Sequence, residues 1–178
     1  MIDPRTQEDG EEYLAYNQRR WGGDGWTRSL RASGARDGVE FANWVVWPNT
    51  LHANRLLLYA ESFGLGGKVK DILMTKIYEE GENASLRDVV AQAADEAGVP
   101  GGASYVQSDE GIDELRRALQ SASVNGKRVS SVPYYSVNGG AFDFSGAQET
   151  KQWLKILDHF ADKSGSELTS TADDADSC

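Results

Sequence analysis

The sequence predicts an α/β fold in which helices predominate and the β structure is confined to a C-terminal hairpin followed by one helix. Three observations predict it. Apolar residues recur at steps of three and four, between helix-start and helix-stop residues, through the middle of the chain. Two short aromatic runs, Tyr134 to Val137 and Ala141 to Phe144, flank Asn138-Gly139-Gly140, whose tolerance of positive φ suits a hairpin turn. A last amphipathic segment, 147–162, sets Trp153, Leu154, Leu157, Phe160 and Ala161 on one face, where they would cover that hairpin.

The elements follow in chain order. Glu11 to Arg20 and Trp26 to Arg36 read as short helices separated by the breaker run Gly22-Gly23-Asp24-Gly25, and Val39 to Trp47 is the one upstream strand candidate. From Asn49 as N-cap, Ala53, Leu56, Leu57, Ala60 and Phe63 keep helical spacing up to Gly64. A second such helix runs from Lys68 through Ile72, Leu73 and Ile77 to Gly81. A third opens at Ser85 with Asp88 three residues on and carries Leu86, Val89, Val90, Ala93 and Ala97 to Gly98. The fourth opens near Ser108 or Asp109 and carries Ile112, Leu115, Leu119 and Ala122. Ser145 and Gln148 have the spacing of a capping box for the last helix. The organisation expected is a helical or irregular lead-in over 1–48, a helical domain over 49–125, the hairpin and last helix over 126–162, and a disordered acidic tail over 163–178.

A net charge of −10 on 178 residues opposes nucleic-acid binding, which rests on cationic contacts with phosphate. No apolar run reaches the length of a membrane span, so no membrane partner is expected. The one cysteine, Cys178, is the last residue and reads as a tail residue without a role, which leaves no internal disulfide and no Cys-x-x-Cys pair. No metal-ligand spacing stands out, and neither a cofactor nor a catalytic residue is expected from this chain. His52 reads as a polar-face residue and His159 as a cation near a helix C-terminus, with no carboxylate or serine partner for acid–base work. Asp95 and Glu96 read as a solvated face, and Trp21, Trp26, Trp44 and Trp47 as packing residues before a ligand groove. Met1 to Gly10 carries no secretory or transit pattern, so the compartment expected is the cytoplasm.

Val132-Pro133-Tyr134-Tyr135, then Asn138-Gly139, then Ser145-Gly146-Ala147-Gln148, resembles the DsbA-like thioredoxin-fold family, and within it the FrnE and 2-hydroxychromene-2-carboxylate isomerase branch. Asn49-Thr50-Leu51-His52-Ala53-Asn54-Arg55-Leu56 is similar to the Asn-Thr-x-x-Ala-His-Arg-Leu helix of that branch's inserted helical domain, with Asn54 in place of the usual histidine. The stretch from Tyr78-Glu79-Glu80-Gly81 to Ala94-Asp95-Glu96-Ala97-Gly98 is similar to the family's acidic helix pair.

The resemblance implies a thioredoxin-like fold with an inserted helical domain. In such proteins a strand, a Cys-x-x-Cys helix and a second strand come first, and Met1-Ile2-Asp3-Pro4 is similar to the turn that ends that unit. The expectation is a chain that begins after it, keeping scaffold and lacking both thiols. The resemblance further implies a cis Pro133 whose loop, Val132, Pro133 and Tyr134, holds an extended peptide or protein thiol/disulfide substrate. The activity implied is thiol–disulfide exchange, silent in this chain for want of cysteines. Two alternatives stand beside it: a glutathione-dependent isomerase or kappa-class transferase acting on a small molecule, and a non-catalytic peptide- or protein-binding module. A free edge at Tyr134 to Val137 would accept a strand from another chain or a second copy.

Overall fold

The computed structural model describes residues 3, 5–121, 123, 124, 126–129 and 131–170, which fall into two compact units, Met1–Gln120 and Ser121–Cys178.

In the first unit, β1 (Glu11–Glu12) leads directly into α1 (Tyr13–Trp21), followed by α2 (Thr27–Arg36) and β2 (Val46–Trp47). β1 and β2 pair antiparallel, Glu11 opposite Trp47 and Glu12 opposite Val46. The upstream strand candidate thus shrinks to two residues, and the helix expected from Glu11 begins at Tyr13. Glu12 takes the N-cap position itself, its carboxylate accepting from the Ala15 amide at 2.7 Å.

Five more helices follow: α3 (Leu51–Glu61), α4 (Gly66–Thr75), α5 (Arg87–Ala97), α6 (Gly102–Gln107) and α7 (Ile112–Gln120), with a π-helical turn, Lys76–Glu80, continuing α4. The N-cap position of α3 falls on Thr50, one residue after the expected Asn49, whose Oδ1 nevertheless accepts from the Leu51 amide at the helix start. Ser85 does not cap α5; its hydroxyl accepts from the Asn49 amide at 2.7 Å and ties the start of α3 to the loop before α5. Gly81 ends the π turn at φ +75, and a Cβ there would lie 2.8 Å from the Asn43 carbonyl oxygen. α6 escapes the sequence pattern because six residues with one apolar side chain fully buried, Val106, carry too little periodicity. It packs closely on α5 because position 102 is glycine: a Cβ would lie 2.9 Å from those of Ala94 and Val99.

The core joins lead-in and helices. Tyr13 and Trp44 share one cluster with Leu56, Ala60, Val69, Leu73, Val90, Ala94 and Val106. Small side chains on α5 let the helices close, while Phe63 and Leu86, placed on apolar faces by the sequence, are 43% and 46% exposed. Phe63 lies beyond the end of α3 and packs on Tyr59. Glu96 is exposed, as expected of a solvated face, and it also pairs at 2.9 Å with Lys76, a lysine only 5% exposed.

In the second unit, β3 (Ser123–Val124) pairs with β4 (Lys127–Arg128), and β5 (Tyr134–Val137) pairs antiparallel with β6 (Phe142–Ser145). The turn holds Asn138 at φ 50 and Gly139 at φ 64, as a tight hairpin needs. Strand β6 starts one residue later than expected and ends at Ser145, opposite Tyr134. That register spends Ser145 on the ladder and removes the capping box. Gly146 donates to the Pro133 carbonyl at 2.8 Å, Gln148 turns back to the Gly146 carbonyl, and α8 begins only at Thr150 and runs to Ser170. His159 therefore lies within that helix, exposed, and not at its C-terminus. Part of the expected tail, up to 170, belongs to α8; 171–178, with Cys178, lie outside the described residues, as does Ala122.

The helix meets the hairpin through Trp153, whose ring centroid lies 4.7 Å from Tyr135 and 5.2 Å from Phe144. Ile156 is the buried aliphatic among the described side chains of α8, whereas Leu154 and Leu157, expected on the covering face, are 56% and 52% exposed. A step of three from Trp153 reaches Ile156, and a step of one turns Leu154 and Leu157 away. The three sheets are each two-stranded, so β5 has a single partner strand among the described residues.

Candidate functional site

Val132, Pro133 and Tyr134 form one loop entering β5. Alternation along the ladder puts Tyr135 and Val137 on the face shared with Phe142, Phe144 and Trp153, and Tyr134 and Ser136 on the other. Pro133 occupies a position where the missing N–H costs no ladder bond, and the Val132–Pro133 peptide is cis. Val132 is 60% exposed, Pro133 is exposed and Tyr134 half-buried. The three sequence-selected residues thus stand together, on an open loop, with an apolar side chain outward. No acid, base or thiol accompanies them in the loop; Ser130 lies outside the described residues. Such a loop can hold an extended chain by main-chain hydrogen bonds and apolar contact, and it supplies no group that transfers a proton.

His159 lies apart from it, lining a groove of about 430 Å³ with Phe142, Lys155, Ile156 and Phe160. Among the described residues no cluster of three histidine, cysteine or acidic side chains has the geometry to hold a metal ion, and no helix is long and apolar enough to cross a membrane.

His52 is not on a solvated face. Its Nδ1 accepts from Arg55 at 2.7 Å, and Arg55, fully buried, also donates to the carbonyls of Tyr105, Ser108 and Glu110. Arg87 donates to the Gln107 and Ser108 carbonyls and pairs with Asp109. The two guanidiniums satisfy the open C-terminal end of α6. Burial first, then the charges of Arg87 and Arg55, push the His52 pKa below its ordinary value, while Asp109 opposes them. The folded protein thus declines a proton that the unfolded chain accepts near pH 6.5, so stability is full above that pH and falls on acidification below it. Urea midpoints between pH 7.5 and 5 are expected to drop for the natural chain and to drop less for His52→Gln; parallel slopes would remove His52 as the cause.

The tryptophans divide. Trp44 is core, 5% exposed; Trp47 stacks on Tyr16; Trp21 and Trp26 are 56% and 43% exposed. Packing accounts for the first two alone. Neither Arg55 nor this split was visible in the sequence: an arginine on a helix carries no sign of burial, and a clustered tryptophan no sign of which face is open.

No protein-family model and no curated protein matches the chain in sequence. Among solved structures, a probable DsbA oxidoreductase from Streptomyces coelicolor superposes with a TM-score of 0.71 at 20% identity, over 87% of this chain and 70% of that one. The helix-dominated architecture, with its C-terminal hairpin and covering helix, is a thioredoxin-like fold of the DsbA type carrying a helical domain.

Proposed function

We propose that this chain is a DsbA/FrnE-like binding scaffold that holds an extended peptide or protein substrate at Val132, Pro133 and Tyr134 and performs no thiol–disulfide exchange itself. One observation carries the reading: a DsbA-type fold is joined to a sequence whose single cysteine is Cys178, far from the substrate loop in sequence and without a Cys-x-x-Cys partner. Exchange needs an attacking thiolate and a resolving thiol, and a lone terminal cysteine supplies neither as a pair. The exposed Val132 and the second edge of β5, which no strand among the described residues covers, support recognition by strand addition, from a partner chain or a second copy.

Insulin reduction by dithiothreitol with the purified 178-residue chain is expected to proceed at the rate without protein. Turnover at the rate of a dithiol oxidoreductase would refute the reading. Binding of a reduced, unfolded insulin B chain, weakened by Val132→Asp, is the expected positive result. Saturable glutathione binding in place of peptide binding would move the assignment to a glutathione-dependent isomerase or transferase.

A further inference from the structure

We propose that the trough at the α1–α2 turn binds a free fatty carboxylate, its alkyl chain against the indoles and its carboxylate at Arg20. The trough has a volume of about 660 Å³ and is lined by Trp21, Gly22, Gly23, Gly25, Trp26 and Trp47. Small-molecule pockets fall in this size range and are lined in this way, apolar with few polar groups.

The walls are fixed before anything binds. The Trp26 Nε1 donates to Asn17 Oδ1 at 2.9 Å, and Asn17 is fully buried, donating in turn to the Tyr13 carbonyl at 2.9 Å. Trp47 stacks on Tyr16 with centroids 4.1 Å apart. A preformed wall lowers the ordering cost of binding. The floor is open: a Cβ added to Gly22, Gly23 or Gly25 would meet nothing within 4 Å.

Ring orientation bears on the shape of the occupant. Trp26 is inclined at 64° to Trp21 and at 71° to Trp47, so it forms a parallel-walled slot for a flat ring with neither. A flexible alkyl chain fits walls set at steep angles.

Charge selects its head group. The chain carries −10 overall, yet 13–36 hold five arginines and one aspartate. Arg20 is not itself a lining residue; it adjoins the trough through Trp21, its guanidinium 4.4 Å from that ring centroid. Its nearest carboxylate, Asp3, is 3.7 Å away, beyond hydrogen-bond distance, and already accepts from the Arg5 amide and the Tyr16 hydroxyl. Arg20 is ion-paired with Asp3 but makes no hydrogen bond to another side chain among the described residues, which leaves its N–H donors to serve an incoming carboxylate. The site uses none of residues 131–134 and stands or falls apart from the substrate-loop reading.

The test is a titration followed by tryptophan fluorescence and by calorimetry, with laurate below its micellar concentration, and with octanoate, dodecanol and dodecyltrimethylammonium as comparisons. Laurate is expected to bind one per chain, about tenfold or more tighter than octanoate because added methylenes are buried. It should exceed dodecanol by about fivefold, the worth of a half-exposed ion pair, and Arg20→Gln should erase that margin. Gly25→Leu, at a position with ordinary φ, should fill the trough and abolish binding while leaving the circular dichroism spectrum unchanged. Absence of saturable binding, equal affinity for dodecanol and laurate, or tighter binding of the cation would overturn the proposal. So would association with phosphatidylglycerol vesicles free of fatty acid, which would make the indoles a membrane-surface anchor, or laurate affinity surviving in Gly25→Leu. If Gly25→Leu does not fold, the head-group series and Arg20→Gln decide.

Discussion

Replacing Arg55 with methionine is expected to destabilise the helical unit by about 3–5 kcal/mol, the cost of breaking a buried charged network from one side. Swapping a buried ion pair for apolar residues is often harmless because both partners leave together. Here the partners stay. The carbonyls of Tyr105, Ser108 and Glu110 belong to the main chain between α6 and α7, and no side-chain change removes them. The Ser108 carbonyl keeps Arg87 and the Tyr105 carbonyl keeps the Ser108 hydroxyl, so the Glu110 carbonyl is the acceptor left open, at about 1–3 kcal/mol, and the other charge-assisted bonds lost add to it. The guanidinium also lies 5.1 Å from the Tyr105 ring centroid, and methionine does not replace that cation–π attraction. Arg55→Lys should recover less than half of the stability, because a point charge with three donors does not reproduce the planar fork that serves several carbonyls. Thermal unfolding checks both: a fall in Tm of roughly 10 °C or more is expected for the methionine variant. A loss under about 1 kcal/mol, less than the cost of even one open acceptor, would mean that Arg87 alone closes the end of α6.

Trp153→Ala is expected to cost the C-terminal unit about 3 kcal/mol, at the low end for a tryptophan because the side chain is half-buried. A two-stranded hairpin is marginal by itself, and Trp153 is the ring that fastens α8 to it through Tyr135 and Phe144. Little else substitutes for it, since Leu154 and Leu157 point outward and Ile156 is the buried aliphatic neighbour. Hydrogen exchange resolved by peptide should show amides of 134–145 losing protection, while those of α3 to α5 keep theirs. Leu157→Ala, by the same logic, should change little. Equal destabilisation in the two variants would place the anchoring face of α8 elsewhere.

Legibility in the sequence follows the range of each interaction. The helices of 51–97 show in the sequence because burial of one face writes a period of three to four into it, and the hairpin because Asn138-Gly139 must take positive φ whatever surrounds it. The grouping of Val132, Pro133 and Tyr134 was legible too, being contiguous. The capping box at Ser145 failed because a strand pairing eleven residues back claimed that serine.

The sequence by itself determined the helical character, the turn, the acidic charge and the lack of a cysteine pair, since each is a matter of composition or of neighbours along the chain. Only tertiary structure decided which polar and aromatic groups are enclosed. Arg55 is buried because carbonyls 50 to 55 residues away gather around it, and Glu96 is engaged because Lys76 lies across from it. Trp21 and Trp26 stay open because the glycines beside them leave their outer faces uncovered. Burial is a property of what the fold brings near, and distant partners leave no local mark.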